Sequence, residues 1–346
     1  MKLNFCTLFN SAYLSRGLTM YKSLAATCAD FHLYVFAFDQ ITFDFFKQQN
    51  YPHLTAISLQ EFEDSELLRI KPSRTSGEYC WTCTSSTILY SIQKYNLPHC
   101  TYVDADLYFY SDPVVLVEEM KNNSVLITEH RYTAAYDQSK SSGIYCVQFI
   151  TFKNDAAGLK VLNWWRAACI EWCYNRHEDG KFGDQKYLDD WTQRFEGIHV
   201  LQNLGGGIAP WNVQQYEFRS TNSKLMGKEK STNTPFQPVF YHFHDLKFHP
   251  NQFIELTGAG YEINADVVEL FYKSYLKNWK VARKEISENF KPEFDADATS
   301  KKYIPSRFRS SLYALRVNAR LAFEALKQGK LKFAKHHNHI YNLKSF

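Results

Sequence analysis

The stretch TYVDADLYF, residues 101–109, places two carboxylates, Asp104 and Asp106, inside a run of apolar and aromatic residues. Carboxylates rarely lie inside such a run unless a cation neutralises them there. The run has the length of a strand, and a helical pattern over residues 85–95 precedes it and ends near Pro98. The sequence therefore predicts that both acids lie at the carboxyl end of a central strand, where open α/β sheets bind ligands.

The flanking patterns predict the rest of an α/β fold. Short apolar runs at residues 3–9 and 33–38 are typical of strands, and residues 15–26 between them are helical in pattern. Strand, helix and strand in this order indicate a parallel sheet. Further strands are predicted at 125–128, 147–152 and 238–243, a helix at 155–175, and helical structure from 264 to the end.

Composition indicates a soluble globular protein. The 346 residues are 45% hydrophobic and 22% charged, and no run of about 18 apolar residues occurs. The N-terminal residues lack the charged-then-apolar pattern of a signal peptide, so we expect a cytoplasmic location. Eight cysteines scattered along such a chain favour buried thiols over a disulfide framework.

Positive charge is concentrated in the tail. Residues 300–346 hold eleven Lys and Arg against the single acid Glu324, whereas residues 1–299 have a net charge of −6. An amphipathic helix predicted at 311–328 would suit an anionic membrane surface, at the inner face of the cell membrane. The alternative is a helix packed on the body with a solvated basic face. Because the body is acidic, we do not expect nucleic-acid binding.

Two further segments contain candidate site residues. In GDQ, residues 183–185, Asp184 is either a site residue or the N-cap of a helix. In YHFHDLK, residues 241–247, strand periodicity puts His242 and His244 on one face, where an imidazole can bind a metal. Lys247 lies just beyond and can reach a phosphate. Each pattern is weak when taken singly.

Taken together and in this order, these motifs resemble the GT-A glycosyltransferases, most closely the family 8 type of glycogenin and lipooligosaccharide galactosyltransferases. The resemblance covers about residues 1–250. It implies a Rossmann-like GT-A catalytic domain over 1–260, with a donor-binding half at about 1–150 and an acceptor half at about 151–260. A helical C-terminal region would occupy 261–346.

The resemblance also implies roles for the motif residues. Asp104 and Asp106 would bind Mn²⁺ or Mg²⁺, with His242 as the third ligand and His244 as the alternative. Asp104 and Lys247 would contact the donor, and the catalytic candidates Asp184 and Gln185 would lie beside the transferred sugar. The chain departs from the family pattern after His242, where Asp245 replaces a glycine and Lys247 comes one residue early.

Other binding residues follow from position. The carboxyl end of the first strand borders the same crevice, so a nucleotide base is expected near four residues: Thr7, Phe9, Asn10 and Tyr13. Gln148 is a candidate for contacting the donor sugar, or an ordinary strand residue. Trp211, after the glycines at 205–207, is either a platform for the acceptor or a core residue.

The function implied by the resemblance is a metal-dependent hexosyltransferase. It would use a nucleotide-sugar donor, a UDP-sugar first among them, and a glycan or lipid-linked acceptor in surface-polysaccharide or lipopolysaccharide synthesis. One rival is a haloacid-dehalogenase phosphatase, which also places Asp-x-Asp after an apolar strand, although near its N-terminus. A second is a non-catalytic glycan- or nucleotide-binding protein. CWTC at 80–83, with Cys169 and Cys173, leaves thiol chemistry or a zinc site open.

Overall fold

The computed structural model describes residues 1–221, 224–249, 252–258, 260–290 and 339–346. The strands are β1 Leu3–Phe9, β2 Phe31–Ala37, β3 Leu54–Ser58, β4 His99–Val103, β5 Leu107–Phe109, β6 Val125–Glu129, β7 Tyr145–Lys153, β8 Ile198–Val200, β9 Tyr216–Thr221, β10 Lys224–Glu229, β11 Pro235–Phe236, β12 Phe240–His242, β13 Lys247–Phe248, β14 Phe253–Glu255 and β15 Ile340–Asn342. The helices are α1 Leu14–Thr27, α2 Gln40–Gln49, α3 Leu59–Phe62, α4 Ser65–Ile70, α5 Ser76–Tyr95, α6 Val114–Glu118, α7 Ser139–Ser142, α8 Ala156–Glu171, α9 Trp191–Arg194, α10 Ala265–Val267 and α11 Lys273–Asn289.

A seven-stranded sheet in the order β3-β2-β1-β4-β7-β6-β8 forms the centre of the protein. The strands β3, β2, β1 and β4 are parallel neighbours, and β7 runs antiparallel between β4 and β6. All seven residues of β1 are buried, as in a sheet covered by helices on both faces. The predicted α/β class is confirmed.

The helix that leads into β4 is longer than its apolar pattern predicted. The helix α5 begins at Ser76 because Thr75 and Glu78 form a capping box, in which each side chain accepts a hydrogen bond from the other residue's backbone N–H. It ends at Tyr95, and the following C-cap residue, Asn96, has a left-handed backbone conformation with φ of 49°. The helices α5 and α8 pack together on one face of the sheet, and α1 packs with α11 on the other.

The single strand predicted for residues 101–109 is wrong. The structure forms β4 and β5 from this stretch, and they belong to different sheets. A turn separates them, closed by a hydrogen bond from the Leu107 N–H to the Asp104 carbonyl oxygen at 3.3 Å. Short polar side chains favour such turns. The chain therefore leaves the central sheet at Asp104, and β5 pairs with β12 instead.

The C-terminal prediction is confirmed in part. The helix α10, a π-helical turn at Val268–Tyr272 and α11 form a continuous helical segment to Asn289. The prediction of helix to the end is wrong, because β15 pairs with β14. The helix predicted at 311–328 lies outside the described residues, and the division into domains stays a prediction. In the described part of the chain, no helix has the length and apolarity to cross a membrane.

Candidate metal and substrate site

A cavity of about 960 Å³ opens at the carboxyl ends of β1 and β4. Its wall combines the end of β1, the turn after β4, part of α5, the loop that contains the GDQ motif, and the segment between β12 and β13. These segments are distant in sequence but meet at one edge of the parallel strands. This is the position at which α/β sheets bind ligands.

Three side chains in this cavity form a candidate metal site: Asp104, Asp106 and His242. The pairing of β5 with β12 sets His242 opposite Leu107, directly beside the turn that carries the two acids. The His242 Nε2 atom lies 3.2 Å from Asp106 Oδ1 and 3.8 Å from Asp104 Oδ2. One ligand atom from each residue falls within 4.8 Å of the others. Two carboxylates and an imidazole suit a divalent cation such as Mn²⁺.

The three groups depend on one another electrostatically. Burial raises the pKa of Asp104 to about 6, an effect that His242 reduces and the charge of Asp106 increases. Burial acts in the same direction on Asp106, but the charge and hydrogen bond of His242 outweigh it and lower its pKa to about 2. Burial lowers the pKa of His242, and Asp106 reverses this and holds it well above the usual range. The two carboxylates thus favour positive charge between them, as a proton on His242 or as a cation.

The geometry favours His242 over His244 as the third ligand. Within the described residues, His242 belongs to the only group of three or more His, Cys, Asp or Glu side chains able to hold an ion. His244 lines the same cavity and contacts Trp211, with ring centroids 5.3 Å apart. Among the residues that the structure describes, the cysteines at 80, 83, 169 and 173 do not form a group able to hold zinc.

The GDQ motif lines the same cavity as Asp104. Gly183 has φ of 53°, which favours glycine, and lies against the Trp81 ring. Asp184 is buried and lines the cavity, while its carbonyl oxygen accepts a hydrogen bond from Trp165 Nε1 at 2.9 Å. A 3-10 helix starts at Gln185, but the Asp184 side chain does not cap it. Asp184 thus occupies the N-cap position that the sequence predicted, without a capping hydrogen bond from its side chain, and it also lines the cavity.

Asp184 makes the stability of the metal-free protein depend on pH. Burial, followed by the charge of Asp104, raises its pKa from 3.8 to about 7. Ionising this buried carboxyl therefore costs free energy that is absent below pH 3.8 and fully present above pH 7. We expect Asp184→Asn to raise the free energy of unfolding by about 2–4 kcal/mol at pH 8 and by under about 1 kcal/mol at pH 4. Urea titrations at both pH values in chelator measure this difference, and an equal effect at both would contradict it.

Lys247 places a cation at the cavity mouth. It lies at the start of β13, lines the cavity, and its Nζ is 3.2 Å from Asp245 Oδ1. Asp245 itself has φ of 63°, so it keeps the left-handed backbone conformation that glycine usually fills. The chain therefore turns at Asp245, between His242 and Lys247.

The predicted nucleotide-binding residues divide into two groups. Phe9, Asn10 and Tyr13 line the cavity, and Tyr13 is 40% exposed. Thr7 and Gln148 are fully buried and lie outside the lining. The structure therefore places the first three where a nucleotide can contact them and does not place Thr7 or Gln148 there.

Trp211 lies beneath the two histidines. Its indole is only 3% exposed, its Nε1 donates to the His130 carbonyl oxygen at 2.9 Å, and its ring meets His242 edge-on at 5.3 Å. Gly205 packs so closely that an added Cβ would lie 2.1 Å from the Gln237 carbonyl oxygen. The glycine loop thus contacts other backbone. Stacking of an acceptor on Trp211 stays a prediction, and this burial gives it little support.

Arg16 is a cavity residue that the sequence reasoning missed. It lies in the first turn of α1, is 5% exposed, and its guanidinium lies over the Tyr13 ring at 4.3 Å. Its charge helps to hold the pKa of Asp106 low. The sequence contained a signal for such a role, because Arg16 is the only charged residue between Lys2 and Lys22.

Solved structures similar to this chain include two glycosyltransferases. The galactosyltransferase LgtC, in complex with donor and acceptor sugar analogues, has 10% identity and a TM-score of 0.48 over 83% of this chain and 100% of that one. The glycosyltransferase GlyE of Streptococcus pneumoniae TIGR4 has 12% identity and a TM-score of 0.44, over 88% of this chain and 66% of that one. No protein-family model matches the chain.

Two uncharacterized proteins of Bacillus subtilis (strain 168) are similar in sequence. YfnD is 29% identical over 310 residues, which are 87% of this chain and 96% of that relative. YfnF is 30% identical over 248 residues, which are 69% of this chain and 80% of that relative. Because this identity extends over most of each chain, the protein belongs to the same family as YfnD and YfnF.

Proposed function

We propose that this protein is a metal-dependent glycosyltransferase of the GT-A type. It transfers a hexose from a nucleotide-sugar donor, a UDP-sugar first among them, to a glycan or lipid-linked acceptor of surface-polysaccharide or lipopolysaccharide synthesis. The observation that carries the proposal is the convergence of Asp104, Asp106 and His242 on one cavity at the carboxyl ends of parallel strands. The sugar, the acceptor and the pathway rest on the resemblance of the motifs.

The roles of the side chains follow from their charges and positions. A bound Mn²⁺ or Mg²⁺ supplies positive charge that offsets the negative charge developing on the departing nucleoside diphosphate. Asp104, Asp106 and His242 would hold that ion, and Lys247 provides a second cation at the same cavity mouth. Asp184 and Gln185 line the adjoining wall, where the transferred sugar would lie. Fixed charges aimed at a leaving group are the largest contribution in many enzymes.

We expect Arg16 to bind the donor diphosphate together with Lys247. Arg16→Gln removes the charge and keeps most of the side-chain length. It should weaken the binding of a nucleoside diphosphate by about 10- to 100-fold and that of the free nucleoside little, because a hydrogen bond to a charged group is lost. Calorimetric titration measures both affinities. Arg69→Gln, at an exposed position on α4, is the matched control, and an equal loss for both ligands would contradict the assignment.

A thermal-shift screen tests the proposed function. UDP, GDP, CMP and their sugar conjugates are compared with and without Mn²⁺ on the wild type, on Asp106→Ala and on Asp30→Asn. Asp30 is exposed and immediately precedes β2, so it lies at the amino end of that parallel strand, whereas the cavity opens at the carboxyl ends of β1 and β4. We expect one nucleotide to stabilise the wild type and Asp30→Asn only when Mn²⁺ is present, and to leave Asp106→Ala unchanged. The absence of a shift with every nucleotide would contradict the proposal.

The two rivals give different results in the same preparation. A phosphatase would release phosphate from a generic phosphomonoester without a nucleotide. A non-catalytic binder would show the Mn²⁺-dependent shift but neither hydrolyse the donor nor transfer its sugar. Sugar transfer, measured as nucleoside diphosphate release that rises when an acceptor is added, distinguishes the proposed enzyme from both.

We further propose that the basic tail binds an anionic membrane surface from the cytoplasmic side, where lipid-linked acceptors lie. Deleting residues 300–346 would also remove β15, which pairs with β14, so charge neutralisation is the better test. Changing Arg307, Arg309, Arg316 and Arg320 to glutamine should reduce binding to phosphatidylglycerol vesicles by about 10²-fold or more. Vesicle sedimentation measures this, and binding that neither the substitutions nor added salt reduces would contradict it.

A further inference from the structure

Gln148 contacts two of the three candidate metal ligands, Asp104 and His242. It lies in β7 and is fully buried. Its backbone carbonyl oxygen accepts a hydrogen bond from the Asp104 N–H at 3.1 Å. Its side-chain Oε1 lies 2.7 Å from His242 Nδ1. Gln148 thus holds both the backbone of Asp104, where the turn between β4 and β5 begins, and the orientation of the His242 ring.

We propose that Gln148 is the positioning residue of the metal site, and the inference rests on the proposed function. A neutral imidazole carries one N–H, and the position of that hydrogen decides which nitrogen has a lone pair for a metal. An amide oxygen only accepts hydrogen bonds, so the contact with Oε1 puts the hydrogen on His242 Nδ1. The lone pair is then on Nε2, the atom that faces both aspartates.

The surroundings of Gln148 support a role beyond packing. Its Nε2 is buried and has no hydrogen-bond partner within the described residues. A leucine would fill a similar volume and remove this unpaired amide N–H, but it would leave His242 Nδ1 without an acceptor, so the contact with the histidine is what a glutamine supplies at this position. The His242 ring is also held by the Trp211 indole, whose centroid is 5.3 Å away. Gln148 and Trp211 therefore restrain the ring from two directions.

The arrangement requires the oxygen of the amide to face the histidine. If the amide group of Gln148 were reversed, its N–H would donate to His242 Nδ1 and the imidazole hydrogen would move to Nε2. That hydrogen would then point at Asp106 and occupy the place of the cation. A glutamate at this position keeps an oxygen toward Nδ1 in either orientation. The pair of variants Gln148→Leu and Gln148→Glu thus separates hydrogen-bond acceptance from side-chain size.

The test is the direct affinity for Mn²⁺, measured by electron paramagnetic resonance of the free ion without nucleotide. We expect Gln148→Leu to weaken Mn²⁺ binding by about 10- to 100-fold, the usual effect of removing a group that orients a metal ligand. Gln148→Glu should retain the wild-type affinity or exceed it. Thr151→Val is the control, because it removes another buried hydrogen bond of β7, between the Thr101 and Thr151 hydroxyls at 2.8 Å, away from the site.

Thermal unfolding in chelator accompanies the titration. Since the leucine variant loses one unpaired buried group and gains another, its melting temperature should fall no further than that of Thr151→Val, which leaves the Thr101 hydroxyl unpaired. Equal Mn²⁺ affinity of Gln148→Leu and the wild type would overturn the positioning role while leaving the metal site intact. Equal weakening by the leucine and glutamate variants would also overturn it. A wild type that binds no Mn²⁺ would overturn both this inference and the proposed function.

Discussion

Asp106→Ala should lower kcat/KM for sugar transfer by about 10²- to 10³-fold, the effect of removing a group that stabilises charge in a transition state. Of the two acids, Asp106 lies nearer to His242, at 3.2 Å against 3.8 Å for Asp104, and its low pKa keeps it ionised throughout the physiological range. Without it, Asp104 and His242 remain as two ligands with one negative charge. We expect the Mn²⁺ affinity to fall together with the rate, because both depend on the same carboxylate.

Two further variants make this result interpretable. Asp106→Asn keeps the shape of the side chain and removes its charge. It should therefore lose activity to the same degree as Asp106→Ala without creating a cavity. Asp30→Asn changes an exposed acid at the amino end of β2, far from the carboxyl ends that border the cavity, and should retain full activity. The measurement is nucleoside diphosphate release at several Mn²⁺ concentrations. Wild-type kinetics in Asp106→Asn would contradict the assignment of this carboxylate as a ligand.

Trp279→Ala should lower the free energy of unfolding by about 3–5 kcal/mol, the usual cost of removing a buried tryptophan side chain. Trp279 lies in α11, is 1% exposed, and stacks on Phe248 with ring centroids 3.9 Å apart. Its Nε1 donates to Ser15 Oγ at 2.7 Å. The residue thus joins α11 to α1 and to the strand that begins with Lys247.

The control for Trp279 lies on the same helix. Val281 is 54% exposed, so Val281→Ala should change stability by no more than about 0.5 kcal/mol. Urea unfolding of both variants measures the difference. Because Phe248 follows Lys247 directly, Trp279→Ala should also weaken nucleotide binding under conditions where the variant is folded. A stability loss below about 1 kcal/mol would show that α11 does not depend on this contact.

The local elements were predictable where periodicity and burial agree. The apolar run at 3–9 predicted β1 with its observed bounds, and the helix predicted at 15–26 is α1 within one residue at each end. The start of α5 was missed because its first turns contain Ser76, Gly77 and Thr82, which have low helix propensity. The capping box that fixes it depends on one side-chain pair, Thr75 and Glu78.

Within the site, spacing identified the candidate ligands but not the residues that hold them. Asp104, Asp106 and His242 stand in recognisable motifs, and the structure brings them together. The contact between Gln148 and His242 joins residues 94 positions apart, and it depends on β7 lying antiparallel to β4. Arg16 reaches the cavity because the first turn of α1, in which it lies, borders that cavity. Such contacts follow from tertiary packing, which one sequence does not display.

Crystals grown with Mn²⁺ and UDP would show directly whether Asp104, Asp106 and His242 bind an ion. Anomalous diffraction locates the ion without assumptions about the protein. We expect one peak within about 2.0–2.3 Å of ligand atoms from Asp104, Asp106 and His242, with phosphate oxygens completing the coordination. A fully ordered cavity with no peak at these three residues, or a peak bound elsewhere, would contradict the account.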